Sequence, residues 1–207
     1  MGMGYNTISS NNDLQYFFAP TSKVEPNIGY NWALELDYKL SSFFALTTGL
    51  RYDANKGQHT TQTQVQFDGD QAFHDFESTT GLDYITIPIN FKIGHSFGKH
   101  WANIRMGPLI ALNVGQRNSW TIDHQTFRSG EYFFDANGNA QWVPEVDIDH
   151  FDLSFLFGVE YGYRLGANGV FISCNYENGL RNIVTTGPAG EAFNRSGVLL
   201  IGYRRFF

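Results

Sequence analysis

Between residues 27 and 40 the chain reads NIGYNWALELDYKL. Ile28, Tyr30, Trp32, Leu34, Leu36, Tyr38 and Leu40 fill every second position, and Gly29, Asn31, Ala33, Glu35, Asp37 and Lys39 fill the others. A strict period of two describes an extended strand with one apolar and one polar face, because successive side chains of a strand point to opposite sides. Such a strand has two homes. In a soluble sheet the polar face looks out to water; in a membrane barrel it looks into the lumen while the apolar face meets lipid.

Composition narrows the choice. Charged residues make up only 16% of the 207 and aromatic residues another 16%, a balance suited to apolar side chains dispersed by alternation and aromatic girdles at a membrane interface. No run approaches the roughly 18 consecutive apolar residues of a spanning helix. The formal charge of −6 offers no basic footprint, so nucleic acid is not an expected partner. Cys174 is the one cysteine and cannot close an intrachain disulfide; its parity places it with Val170, Ile172 and Tyr176 as a small apolar-face residue. No signal peptide is read before Met1, so the expectation at this point is either a protein that is not exported or the processed form of one that is.

The alternation recurs along the chain. After Ser41-Ser42 it returns with Phe44, Leu46, Thr48, Leu50 and Tyr52 against Ala45, Thr47, Gly49, Arg51 and Asp53, a hairpin partner for the first strand. A polar stretch from about Asn55 to Gly81 has no sustained period. Alternation resumes over Ile85 to Gly94, the turn HSFGKH follows, and the next strand runs from Ala102 to Val114. A second excursion, Gly115 to His150, contains EYFFDANGNAQWV, where Asn137-Gly138 signals a hairpin and the segment reads as a projecting β-ribbon. Phe151 to Leu165 alternates again, GANG turns the chain, and Val170 to Glu177 and Gly197 to Phe207 complete the set. With the glycine-rich MGMGYNTIS at the front, the count is eight strands.

The connections run long, short, long, short, long, short, medium. Outer-membrane barrels have this asymmetry, with short periplasmic turns and long external loops, whereas a soluble sandwich or lipocalin-like barrel has no reason for it. The strands also reach the 9 to 11 residues or so that cross a bilayer at a tilt. The fold predicted is therefore all-β: one domain over residues 1–207, an eight-stranded antiparallel up-and-down transmembrane barrel. Its polar face turns inward, and Glu35, Asp37, Lys39, Arg51, Lys92, Arg105, Glu160, Arg164, Glu177 and Arg204 are expected to pair inside a lumen too narrow for a water channel. Tyr38, Tyr161, Tyr163, Tyr203 and Phe207 fall near the short turns and Tyr30, Trp32 and Tyr52 near the long loops, as two girdles.

Four stretches, YITIPINFK (84–92), Gly107-Pro108, FLFGVEYGY (155–163) and YENGLRNI (176–183), resemble in order and placement the PorT-like outer-membrane β-barrel proteins of Bacteroidota. The resemblance covers about residues 27–207. It implies an exported outer-membrane barrel without known enzymatic activity, acting as an accessory protein of type 9 secretion or related envelope machinery, and the terminal Phe207 matches an aromatic assembly signal. Read on physical grounds alone, Pro88 removes a ladder donor where the strand is bulged or distorted, and Gly107, Gly158 and Gly162 relieve crowding.

Other chemistries are weaker. His95 and Ser96 are the nearest approach to a deacylase constellation, but neighbours on a strand face opposite sides. Glu145, Asp147, Asp149 and Asp152 could hold a calcium ion, or a cation bridging to lipopolysaccharide phosphates, against the commoner solvated acidic rim. DANGN lacks the glycine position and closing glutamate of a calcium loop and reads as a turn. No catalytic residue and no cofactor is expected. The expected partners are outer-membrane lipids, lipopolysaccharide and proteins of an envelope complex, met by external loops at about 54–82 and 115–150 through Phe127, Tyr132, Phe133, Phe134 and Trp142. A lipid- or small-ligand-binding barrel is the alternative, and a lipid-modifying enzyme a further one.

Overall fold

In the computed structural model, residues 2–10, 23–65, 74–128, 130–134, 138, 140–142, 147–186 and 192–206 are described. They form thirteen strands: β1 (Gly2–Ser10), β2 (Lys23–Lys39), β3 (Phe44–Val65), β4 (His74–Phe97), β5 (His100–Ile122), β6 (Gln125–Arg128), β7 (Tyr132–Phe134), β8 (Ala140–Trp142), β9 (Asp147–Ile148), β10 (Phe151–Leu165), β11 (Asn168–Gly179), β12 (Val184–Thr186) and β13 (Ala192–Arg205). Among the described residues there is no helix.

Eight strands close into a ring. β1, β2, β3, β4, β5, β10, β11 and β13 pair in that order, all antiparallel, and β13 returns to β1 through a continuous register from Gly2↔Leu200 to Ser10↔Ala192. Closure leaves no sheet edge in the bilayer, as a hydrocarbon environment requires. β6 lies outside the ring, taking over the edge of β5 that β10 leaves at Leu112.

At one end the links are tight. Leu40 to Phe43 joins β2 to β3, with Ser41 Oγ accepting from the Phe43 and Phe44 amides at 3.2 and 3.1 Å. Gly98-Lys99 and Gly166-Ala167 make two-residue turns in which Gly98 (φ +64°) and Gly166 (φ +66°) take the left-handed conformation. The short turns define the periplasmic end. The outer wall between the two ends is apolar, with Leu34, Leu36, Leu50, Ile87, Phe91, Val159, Ile172 and Ile201 all exposed. Cys174 joins them, facing lipid.

One expectation needs correction and a second can be made specific. The stretch from 55 to 81 is not a loop: β3 runs to Val65 and β4 begins at His74, so the hairpin rises well past the apolar wall. Its threonines favour a strand, but with water on the outer side the alternation of apolar residues that marks a strand in sequence is gone. At Pro88 the expected distortion is present as lost rungs, without a bulge. The β3–β4 ladder holds one register from Thr48↔Ile89 to Arg51↔Thr86 and only loses the rungs between. Bulges lie higher, where Asn55 (φ +58°) interrupts β3 between Asp53 and Lys56, and where Val114 is the extra residue of β5 opposite Asp83 and Tyr84.

Candidate functional site

The lumen holds most of the charge that the strands carry inward. Near the periplasmic end Glu160, with its side chain fully buried, is the hub of a six-residue ionic cluster. Arg204 reaches its two oxygens at 2.8 and 2.9 Å, Lys92 lies at 3.3 Å and Arg105 at 4.0 Å. Trp101 Nε1–H and Asn103 Nδ2–H each donate to Glu160 Oε1 at 2.9 Å. Glu35 accepts from Arg105 at 2.7 Å, Asp37 accepts from Lys92 at 2.9 Å and Thr47 at 2.6 Å, and Arg204 forms an ion pair with Asp37 at 3.2 Å. Three acids meet three bases, so the cluster is neutral. Higher up, Arg51 bridges Asp53 at 2.9 Å and Glu177 at 2.6 Å, Lys56 donates to Glu177 at 2.9 Å, and Thr86 donates to Asp53 at 2.8 Å. This second cluster is neutral as well. Burying so many charges is tolerable only where each has an opposite charge beside it, even though Arg51 Nη2, Asp53 Oδ1 and Arg105 Nε keep no hydrogen-bond partner, and removing one partner of a buried pair typically costs about 3–5 kcal/mol.

Both mouths are covered. At the periplasmic end the Arg204 guanidinium lies 5.3 Å from the Trp101 ring centre and 5.1 Å from that of Phe171, and Trp101 meets Phe206 edge-on at 5.4 Å. The Trp101 ring lies where side chains on Gly162 and Gly169 would project, so both positions must be glycine. At the external end Asn194 donates to Tyr84 at 3.0 Å and to Asp152 at 2.7 Å. Above them Leu82, Tyr84, Ala111, Ile148 and Ile183 form a dry cap. Ile148 and Ile183 come from external segments, held over the mouth by the β9–β12 pairing, by the Asp149 amide donating to Ile183 at 2.7 Å and by the Arg181–Asp149 ion pair at 2.6 Å.

Of the ten charges expected inside, eight lie in the two clusters. Lys39 and Arg164 do not: both are exposed at the periplasmic rim, because β2 and β10 end there. Arg164 instead donates to the Gly166 carbonyl at 2.9 Å and stacks over Phe206 at 4.7 Å. Sequence reasoning left out Asp53, Lys56, Asp152, Trp101 and Asn103. All but Lys56 obey the same two-residue parity as their neighbours; Lys56 is turned inward by the Asn55 bulge, which parity counting cannot anticipate.

Of the candidate cation cluster, only Asp149 and Asp152 have described side chains, and these two do not converge. Asp149 is paired with Arg181, Asp152 turns into the lumen, and Glu145 and the side chain of Asp147 lie outside the described residues; among those described, no group of metal-ligating side chains converges. His95 and Ser96 fall on consecutive rungs of β4, and His95 stacks on Phe43 at 6.0 Å. Phe207 also lies outside the described residues.

The external aromatics divide into two groups. β3, β4 and β5 continue upward as a blade, joined by β6 and covered by the β7–β8 hairpin, whose rungs run from Tyr132↔Trp142 to Phe134↔Ala140. Phe76, Ile122 and Phe133 are buried in it, with Trp120 and Phe127 packed against them. Phe76 meets Trp120 at 5.1 Å and Phe127 meets Phe133 at 5.7 Å. Tyr132 and Phe134, on the other face of β7, are 60% and 72% exposed. The side chain of Trp142 is not among those described.

A family model for the outer membrane protein beta-barrel domain matches residues 1–185. The chain belongs to that family. Its members are outer-membrane barrels, and the closed ring, apolar wall and short-turn end place this chain in the outer membrane with them. The match ends before β13, the strand that the structure sets between β11 and β1 to complete the barrel. No curated protein matches the chain.

Proposed function

We propose that this barrel is a non-conducting, non-enzymatic anchor that presents its external blade to a protein partner in an envelope complex. The observation that carries the reading is a contrast of two surfaces. The lumen holds two neutral ionic clusters, with Trp101 and Phe206 at one mouth and the cluster of Leu82, Tyr84, Ile148 and Ile183 at the other. The blade, by contrast, keeps two large aromatic side chains, Tyr132 and Phe134, in water although their neighbour Phe133 is buried. Exposed aromatic side chains are enriched among those that anchor protein interfaces. The resemblance to PorT-like proteins points to type 9 secretion or related machinery of Bacteroidota as the setting for such a partner. Contact with lipopolysaccharide phosphates, by comparison, would need bridging cations, because the external segments are strongly acidic.

Photo-crosslinking residues placed at 132 and 134 in cells, with Leu34 on the lipid wall as the control, test this reading. The expected result is one discrete protein adduct at 132 and 134 and none at 34. Absence of any protein adduct at both blade positions, or a steady ionic current through the purified barrel in planar bilayers, overturns it.

A further inference from the structure

The charge of the molecule is sorted by height. Among the described residues, external segments carry eight acidic and five basic residues, and the lumen six and five. The periplasmic rim carries Lys39, Lys99, Arg164 and Arg205, and residues 38–44, 94–101, 163–169 and 203–207 contain no Asp or Glu; Asp37, the acid beside Lys39, is engaged by Lys92 and Arg204. All four cations are exposed. One stands beside each periplasmic turn, and the fourth at the end of β13, so they surround the barrel rather than cluster on one side.

Just above them lies the lower aromatic belt. Tyr38, Phe43, Phe97, Tyr161 and Tyr203 are exposed on the outer wall. His100 stacks on Phe97 at 5.7 Å and hydrogen-bonds the Tyr161 hydroxyl at 2.6 Å. Aromatic belts of this kind sit at headgroup depth. Cations within two or three residues of such a belt lie in the phosphate layer. The turns are too short to project a protein-binding surface below it.

We infer that this ring binds the headgroups of anionic phospholipids in the periplasmic leaflet, giving the barrel a selective lipid shell on that side. Each Lys or Arg near an anionic surface favours an anionic lipid over a zwitterionic one about fivefold. On the external side, by contrast, the exposed Arg117 and Arg181 are paired with Asp83 and Asp149.

The test uses the full chain reconstituted in nanodiscs containing phosphatidylglycerol and phosphatidylethanolamine in equal amounts, with protein-associated lipid read by native mass spectrometry. Phosphatidylglycerol should be enriched about fivefold among retained lipids, and high salt should abolish the enrichment. The variant combining Lys39→Gln, Lys99→Gln, Arg164→Gln and Arg205→Gln should lose it while still migrating as a folded, heat-modifiable band. Should that variant not fold, the pair Lys39→Gln and Lys99→Gln, on the exposed turns, should lower the enrichment by at least half. Equal retention of both lipids by the unmodified chain, or enrichment unchanged in the rim variants, overturns the inference. So does enrichment lost instead when the external Arg117 and Arg181 are replaced by Gln. Loss of a stoichiometric periplasmic protein from the rim variant, with lipid retention unchanged, would assign the ring to a protein and also overturn it.

Discussion

The two halves of β4 solve opposite problems with one strand. From Ile85 to Ile93 its apolar residues occupy odd positions and face lipid, while Thr86, Asn90 and Lys92 face a charged lumen. From Phe76 to Tyr84 the parity is reversed: Phe76, Leu82 and Tyr84 turn toward the barrel axis, and Glu77, Thr79 and Asp83 face outward. The switch falls between residues 84 and 85, opposite the β5 bulge and level with Tyr52. A strand buries its apolar face against whatever excludes water. Below the switch that is hydrocarbon, and above it the aromatic packing of the blade. The membrane boundary is therefore written in the chain as a change of parity.

If the halves are held by different forces, they should fail separately. The largest effect is expected from Glu160→Gln, which withdraws the charge shared by Lys92, Arg105 and Arg204 and should lower barrel stability by about 3–5 kcal/mol in urea titrations of detergent-folded protein. Blade amides should exchange hydrogen as before; if they open with the barrel, the two halves are one cooperative unit. Phe133→Ala should cost about 3 kcal/mol, but locally. Hydrogen exchange should quicken in β6, β7 and β8 and stay unchanged in β10 and β11. The smallest effect is expected at the boundary. Arg117 donates to Asp83 at 2.7 Å on the outer wall, with Arg117 62% exposed, so replacing Arg117 with Gln should change stability by less than about 1 kcal/mol. A larger loss would mean that this pair is shielded by lipid and that the boundary lies higher than the parity switch.

The barrel was the more legible half, and the reason is physical. Lipid on one side and fixed charge on the other enforce a period of two, so the strand count, the short turns and eight of the ten lumen charges could be read directly. Lys39 and Arg164 share that parity but stand where the strands run out, and parity carries no information about height. The blade was read less well. Where Thr60, Thr61, Thr79 and Thr80 build paired strands with water on the outer side, hydrophobic alternation has no cause to appear, and a 22-residue strand looked half its length. The Asn137-Gly138 turn signal did locate the β7–β8 hairpin, because backbone chemistry at a turn does not depend on solvent. Which aromatics of that hairpin would be covered depended on the fold of β5 and β6 beneath it.

The seam of the ring joins the first strand to the last, with Gly2 opposite Leu200. Everything from β1 to β13 must therefore have emerged before β1 can find its second neighbour. Until then both margins of the growing sheet stay unsatisfied, so insertion is expected to be slow and to depend on something else shielding those margins in transit.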